Sequence, residues 1–178
     1  MTLDEIKALI RSVPDFPRPG ILFRDLTTLI GHGPGFAGCV DHLCDRVSAG
    51  GADAIAGIEA RGFIFGAAVA ARLGMPFVPV RKPGKLPVPV LALDYALEYG
   101  TDTLEVDPEA IADGQDVVLI DDLIATGGTA TAAAQLLRQA GGRIGRALFV
   151  VDLPDLGGAQ RLRGEGVSVE ALIDFPGH

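Results

Sequence analysis

The sequence predicts an α/β fold, a mainly parallel twisted sheet flanked by helices. Three observations predict it. Short apolar runs recur from residue 54 onward, segments with helical spacing alternate with them, and Gly or polar residues bound each run. The clearest run, Val117 to Ile120, is uniformly apolar, as expected of a parallel strand covered on both faces.

The elements follow in chain order. Leu3, Ile6, Leu9 and Ile10 fall at helical spacing in a charged N-terminal segment. Residues 15–30 mix Pro17, Pro19 and Gly20 with apolar residues, too broken for a long element and too apolar for a free linker. They read as an ordered hood against the main body. Phe36, Val40, Leu43 and Val47 form the stripe of a helix to about Ser48. Ala54 to Ile58 is a short strand and Phe63 to Leu73 a helix, with Phe77 to Val80 the next strand. Three prolines and Gly84 argue against regular structure over residues 81–93. Asp94 to Gly100 and Thr103 to Val106 then read as a hairpin. After the Val117 strand comes a helix to about Ala140, a strand from Arg146 to Val151, a short helix from Gly157 to Gly164, and a last strand from Gly166 to Ile173. No repeat or domain boundary interrupts the order, so 178 residues make one domain.

Composition narrows the function. Hydrophobic residues at 48% and charged residues at 21% describe a globular chain, and a net charge of −8 argues against a general nucleic-acid binder. The N-terminus lacks the pattern of a signal peptide and no apolar run is long enough to span a membrane, which makes a cytoplasmic setting the expectation. Cys39 and Cys44, five apart on different helix faces, match no zinc or redox pattern and read as buried hydrophobes. His32, His42 and His178 form no ligand pair, so no protein-ligated metal is expected.

The chemistry concentrates in residues 117–129, VVLIDDLIATGGT. Asp121 and Asp122 follow the strand at its carboxyl end, where open α/β sheets place their ligands. Ala125, Thr126, Gly127, Gly128 and Thr129 form a small-residue turn opening a helix, a cradle for phosphate built of N–H groups and hydroxyls. Carboxylates beside such a cradle suit sugar hydroxyls or magnesium, and hence a phosphorylated ribose. The P-loop is excluded because no lysine follows Gly128, and the dinucleotide Gly-x-Gly-x-x-Gly is absent after this strand. Three further segments stand out. Glu59-Ala60-Arg61-Gly62 occupies another strand-to-helix turn, where Arg61 either grips an anion as a planar fork or is an exposed loop residue. Arg81, Lys82 and Lys85 are a solvated basic loop or an anion-neutralising one. Glu98, between Leu97 and Tyr99, is a general acid–base group or a solvent-facing strand residue.

The run 117–129 resembles the phosphoribosyl-pyrophosphate signature of the type I phosphoribosyltransferases. With VPDFPRPGILFRD (13–25), EARGFIFG (59–66), VRKPGKLP (80–87), LEYGTDTLE (97–105) and the final FPGH, the likeness narrows to the adenine phosphoribosyltransferase family over nearly the whole chain. The resemblance implies that adenine and phosphoribosyl pyrophosphate give AMP and pyrophosphate, in purine salvage. It implies a single type I domain with a hood at about 15–30 and a mobile lid at about 82–99, a homodimer, and magnesium brought in with phosphoribosyl pyrophosphate. Asp121 and Asp122 would hold the ribose, and Ala125 to Thr129 the 5′-phosphate. Arg61, Lys82 and Lys85, with the Glu59 and Ala60 backbone and help from Arg81, would take the pyrophosphate. Glu98 would serve as the acid–base group and Tyr99 would help close the lid. Leu22 and Arg24 would meet adenine largely through backbone groups, with Phe23 and Leu153 packed near the ring. Some family members carry Asp-Ser where this chain has Glu59-Ala60, so main-chain N–H groups would replace one hydroxyl. Two rival readings are another purine phosphoribosyltransferase and an inactive regulator that senses phosphoribosyl pyrophosphate. The first would need a donor for a 6-oxo group; the second usually carries an appended binding domain.

Overall fold

The computed structural model describes residues 1–97 and 99–177; the proposed acid–base residue Glu98 and His178 lie outside them. Five parallel strands form the main sheet: β3 (Ala54–Ile58), β4 (Phe77–Val80), β7 (Asp116–Ile124), β8 (Arg143–Asp152) and β9 (Ser168–Asp174), in the order β4-β3-β7-β8-β9. Two antiparallel hairpins stand outside it, β1 (Arg11–Pro14) with β2 (Leu22–Asp25), and β5 (Leu91–Ala96) with β6 (Thr101–Val106).

The sheet separates two hydrophobic cores. On one face Ala54, Ala56, Leu119 and Phe149 pack under α5 (Gly128–Gln139), α6 (Gly158–Gly164) and the β5–β6 hairpin, through Leu104, Val106, Leu136 and Leu162. On the other, Ile55, Val118, Ile120 and Leu148 pack against α1 (Leu3–Ala8), α2 (Thr27–Ile30), α3 (Gly33–Gly50) and α4 (Arg61–Leu73). Helix α5 is short of large side chains because Ala130, Ala132, Ala133 and Ala134 are all buried between the hairpin and the sheet. Helix α4 ends at Gly74, which turns left-handed at φ 65° so that Met75 N–H reaches the Ala70 carbonyl at 2.8 Å.

Several boundaries differ from the sequence reading, each for a tertiary reason. β7 runs through Asp121 and Asp122 to Ile124, because β8 continues to pair with it as far as Ile124↔Asp152. The broken N-terminal segment contains strand β2, which pairs with β1 while Pro17, Pro19 and Gly20 occupy the connecting loop. Leu91 to Leu93, within the segment expected to be irregular, pair with Val106 to Leu104, so the second hairpin starts three residues early and its first strand stops at Ala96. Helix α3 begins at Gly33, where the His32 ring accepts the Gly35 N–H at 3.1 Å. Cys39 and Cys44 are both buried in the second core, since α3 is covered over a broad arc.

This topology fixes where a ligand can sit. Helix α4, which follows β3, and helix α5, which follows β7, lie on opposite faces of the sheet. The turns after these adjacent strands diverge and leave a crevice at their carboxyl ends.

Candidate active site

The crevice holds a cavity of about 270 Å³ lined by residues 58–61, Lys82 and residues 121–130. Glu59, Ala60, Arg61, Lys82, Asp121, Asp122 and all of Ala125 to Thr129 are therefore brought together from segments up to seventy positions apart in the sequence.

Its floor is acidic. Asp122 is 4% exposed, and its Oδ2 lies 2.6 Å from the Arg61 Nε as an ion pair, off the alignment of a hydrogen bond. Asp121 Oδ1 accepts the Asp122 N–H at 2.9 Å. Burial pushes the Asp121 carboxyl well above the usual range, and the neighbouring Asp122 pushes it further. Burial raises Asp122 too, with Arg61 opposing. Two carboxylates held close, Asp122 buried and Asp121 half-buried, are poised for a partner that offers hydroxyl donors or positive charge.

One wall is the turn into α5. Gly127 is left-handed at φ 79°, and the first helical bond runs from Thr131 N–H to the Gly127 carbonyl at 2.9 Å. The N–H groups of Gly128, Thr129 and Ala130 precede that bond and have no partner within the helix, which suits an anion. The turn is braced from behind. Gly158 N–H donates to the Ala125 carbonyl at 2.9 Å, and Leu153 N–H to the Ile124 carbonyl at 3.1 Å. The approach is so close that a Cβ on Gly158 would stand 2.3 Å from the Ala125 oxygen.

The opposite wall joins the start of α4 to the end of β4. The Glu59–Ala60 peptide is cis. The Glu59 carboxylate accepts the Lys82 N–H at 2.9 Å and the Arg81 Nε at 3.1 Å, in that order of effect holding its pKa low. Arg81 is thus spoken for by Glu59 and does not line the cavity; Lys82 does. The Lys82 ammonium pairs with the Asp102 carboxylate, whose Oδ2 also accepts the Tyr95 hydroxyl at 3.1 Å. Burial pulls the Lys82 pKa down, but hydrogen bonding to Asp102 and the neighbouring Tyr95 outweigh it, and the net shift is upward.

The remaining expected residues stand outside the cavity. Lys85 is exposed in the loop after β4, where Gly84 N–H donates to Glu105 at 3.0 Å. Leu22, Phe23 and Arg24 are half-buried on β2; Phe23 meets Phe16 edge-on at 5.1 Å, and the Arg24 guanidinium lies 4.3 Å above the Phe175 ring. Leu153 follows β8 and packs against the second core. Tyr99 is 68% exposed, with the Arg18 guanidinium 4.7 Å from its ring centre, so the tips of the two hairpins touch.

Four residues at the site carried no role in the sequence reading. A Cβ on Gly62 would fall 2.6 Å from Asp121 Oδ1, so any larger residue there would displace that carboxylate. Gly158 supports the turn into α5, and Tyr95 and Asp102 engage Lys82. Gly62 follows Arg61, already singled out, while Gly158 follows no residue given a role, and the close approach of each depends on packing. The Tyr–Asp pair depends on hairpin register.

A family model for the phosphoribosyl transferase domain matches residues 32–161. The chain is 68% identical over 178 residues to an adenine phosphoribosyltransferase of Novosphingobium aromaticivorans, covering all of both chains. The chain belongs to the phosphoribosyltransferase family, in its adenine phosphoribosyltransferase branch. Solved structures agree along the full length. An adenine phosphoribosyltransferase from Thermoanaerobacter pseudethanolicus superposes with a TM-score of 0.93 at 46% identity, over 98% of this chain and 100% of that one. The Saccharomyces cerevisiae enzyme, complexed with an imino-altritol bisphosphate and adenine, gives 0.89 at 38% identity, over 96% and 98%. The β1–β2 hairpin precedes the matched family domain, and both full-length relatives extend over it.

Proposed function

We infer that the protein transfers the 5-phosphoribosyl group of phosphoribosyl pyrophosphate to adenine, giving AMP and pyrophosphate, as a pentosyltransferase of purine salvage. The observation that carries this is the single crevice in which the Asp121–Asp122 pair lies between the Ala125–Thr129 turn and the Arg61–Lys82 wall. A sugar with phosphate on one side and pyrophosphate on the other matches that order of anion cradle, acid floor and cationic wall.

The residues then divide the work. The 128–130 N–H groups and the hydroxyls of Thr126 and Thr129 hold the 5′-phosphate. Asp121 and Asp122 take the ribose hydroxyls and face the positive charge that grows on the ring as the C1′–oxygen bond loosens, which preorganised carboxylates stabilise without rearranging. Arg61 and Lys82, with Lys85 entering from its loop, meet the departing pyrophosphate. Adenine N9 attacks C1′, and Glu98 manages the imidazole proton. The β1–β2 hairpin serves as hood, bringing Leu22, Phe23 and Arg24 to the base alongside Leu153, and the segment at about 82–99 serves as lid with Tyr99. Backbone groups of the hood offer the acceptor that a 6-amino group needs.

Among the described residues no group of three or more His, Cys, Asp or Glu side chains could hold a metal. Magnesium carried on phosphoribosyl pyrophosphate would come near the Asp121 and Asp122 carboxylates, whose oxygens are hard donors that suit it. When bound it would supply neutralisation of the leaving group. The same reading includes a homodimer and a cytoplasmic setting, supported by family likeness; among the described residues no helix is long and apolar enough to cross a membrane.

The test is a matched assay of adenine, hypoxanthine, guanine and xanthine with phosphoribosyl pyrophosphate and magnesium, on wild type and Glu98→Ala. AMP formation from adenine alone, reduced roughly 10²-fold or more in the variant, is expected. Preference for an oxopurine would overturn the base assignment. Binding of phosphoribosyl pyrophosphate without turnover of any base would point to a sensor.

A further inference from the structure

Lys82 is the cavity cation with the longest flexible stem, yet both of its ends are fixed. Its N–H donates to Glu59 at 2.9 Å, and its ammonium pairs with Asp102. The Asp102 carboxylate is itself locked, because Oδ1 accepts the Thr103 N–H at 2.8 Å while Oδ2 faces Lys82 and the Tyr95 hydroxyl. Tyr95 and Asp102 are direct cross-strand partners in the β5–β6 hairpin. The Tyr95 oxygen lies 3.4 Å from the Lys82 ammonium and 3.5 Å from the Thr129 hydroxyl. One hairpin side chain thus touches both walls of the crevice, the cationic wall and the phosphate turn. Neither Tyr95 nor Asp102 lines the cavity; each acts at one remove.

We propose that Asp102 and Tyr95 are a positioning pair that holds Lys82 across the crevice from Thr129, ready for the pyrophosphate of phosphoribosyl pyrophosphate. The proposal rests on the function inferred above. A free lysine must give up rotamer freedom when it meets an anion, and one already anchored gives up less. The ammonium keeps one donor to spare, since it has three and Asp102 and the Tyr95 hydroxyl take two. A pair that merely stapled the hairpin would affect stability and leave the two substrates equally served. A positioning pair acts on phosphoribosyl pyrophosphate and only through Lys82.

The experiment compares Asp102→Asn, Tyr95→Phe, Lys82→Met and the Asp102→Asn/Lys82→Met double variant. KM for each substrate and kcat are measured, together with calorimetric binding of phosphoribosyl pyrophosphate in magnesium. Asp102→Asn is nearly isosteric, and Tyr95→Phe keeps the packing against α5, so both variants should fold. Expected for Asp102→Asn is a KM for phosphoribosyl pyrophosphate raised about tenfold, with adenine KM within about twofold. Tyr95→Phe should move the same way by less, and the double variant should bind no worse than Lys82→Met alone. An unchanged or lower KM for phosphoribosyl pyrophosphate in Asp102→Asn would overturn the proposal, as would a full additional loss on top of Lys82→Met. Wild type that binds phosphoribosyl pyrophosphate without using adenine would sink the adenine reading alone, since the calorimetric comparison still decides the positioning role. Wild type that fails to bind it would sink both.

Discussion

Gly158→Ala tests whether the phosphate turn is shaped by the segment behind it. The added Cβ would stand 2.3 Å from the Ala125 oxygen and 2.7 Å from the Gly127 nitrogen, both backbone atoms that cannot rotate away. Reaching ordinary contact requires the turn or the start of α6 to move by about 1 Å. Overpacking of this kind costs roughly 1–3 kcal/mol, which in a chain of this size lowers Tm by roughly 2–12 °C. The same displacement acts on the N–H groups of residues 128–130, and misplacement of about 1 Å can cost about 10²-fold in rate. We expect kcat/KM for phosphoribosyl pyrophosphate to fall roughly 10- to 100-fold while adenine KM changes little. Gly164→Ala, in the same helix with no atom within 4 Å of its would-be Cβ, is the control and should match wild type. Steady-state assay and thermal melting on both variants decide it. Wild-type handling of phosphoribosyl pyrophosphate by Gly158→Ala would show that the turn does not depend on this approach.

Two further predictions concern charge. The folded state binds a proton on Asp121 more tightly than the unfolded chain does, so the stability this group contributes is present at low pH and lost as pH rises through the raised pKa. Asp121→Asn should therefore raise Tm of the ligand-free protein at pH 7 to 8, by roughly 2–6 °C, and cut kcat/KM about 10²-fold. A fall in Tm on melting would contradict the cost assigned to a charge at this position, half-buried beside Asp122. Asp25 is the opposite case. Thr27 and Arg11 hold its carboxyl down to about 2, so its stabilisation is present above the ordinary carboxylate pKa and lost as pH falls through the folded value. Asp25→Asn should cost roughly 1 kcal/mol near neutrality. Melting curves of the variant and wild type should converge between about pH 4 and 2; a gap independent of pH would refute the assignment.

The turn at Ala125–Thr129 that lines the crevice was legible in the sequence because every part of it is local: an apolar run, two carboxylates, and small residues at fixed offsets within thirteen positions. What lay outside local pattern was set by pairing. Asp121 and Asp122 stay within β7 because β8 extends beside them, and no property of residues 117–124 announces the length of the neighbour. Pro17 and Pro19 mark a loop, but that Leu22 to Asp25 pair with Arg11 to Pro14 across it depends on register. Tyr95 and Asp102 are seven positions apart and meet only because the turn between β5 and β6 places them opposite. Arg81 shows the converse. Its charge was visible, but its engagement by Glu59, 22 positions earlier, was not. The hood residues were reached through family likeness, since nothing in LFRD itself specifies a purine.

The division of the interior into two cores has a consequence for motion. The Ala125–Thr129 turn rides on α5 and the first core, the Arg61 wall on α4 and the second, with β7 and its neighbours as the shared plate between them. Local opening of either helical layer leaves the other layer's packing in place. Tyr95 already links Lys82 to the Thr129 turn, so the Arg61 end of α4 is the part that can open separately, and a ligand spanning both would correlate it with that turn. Amide exchange should reveal this as joint slowing in α4 and α5 when phosphoribosyl pyrophosphate is added, with adenine alone leaving the two helices to fluctuate separately.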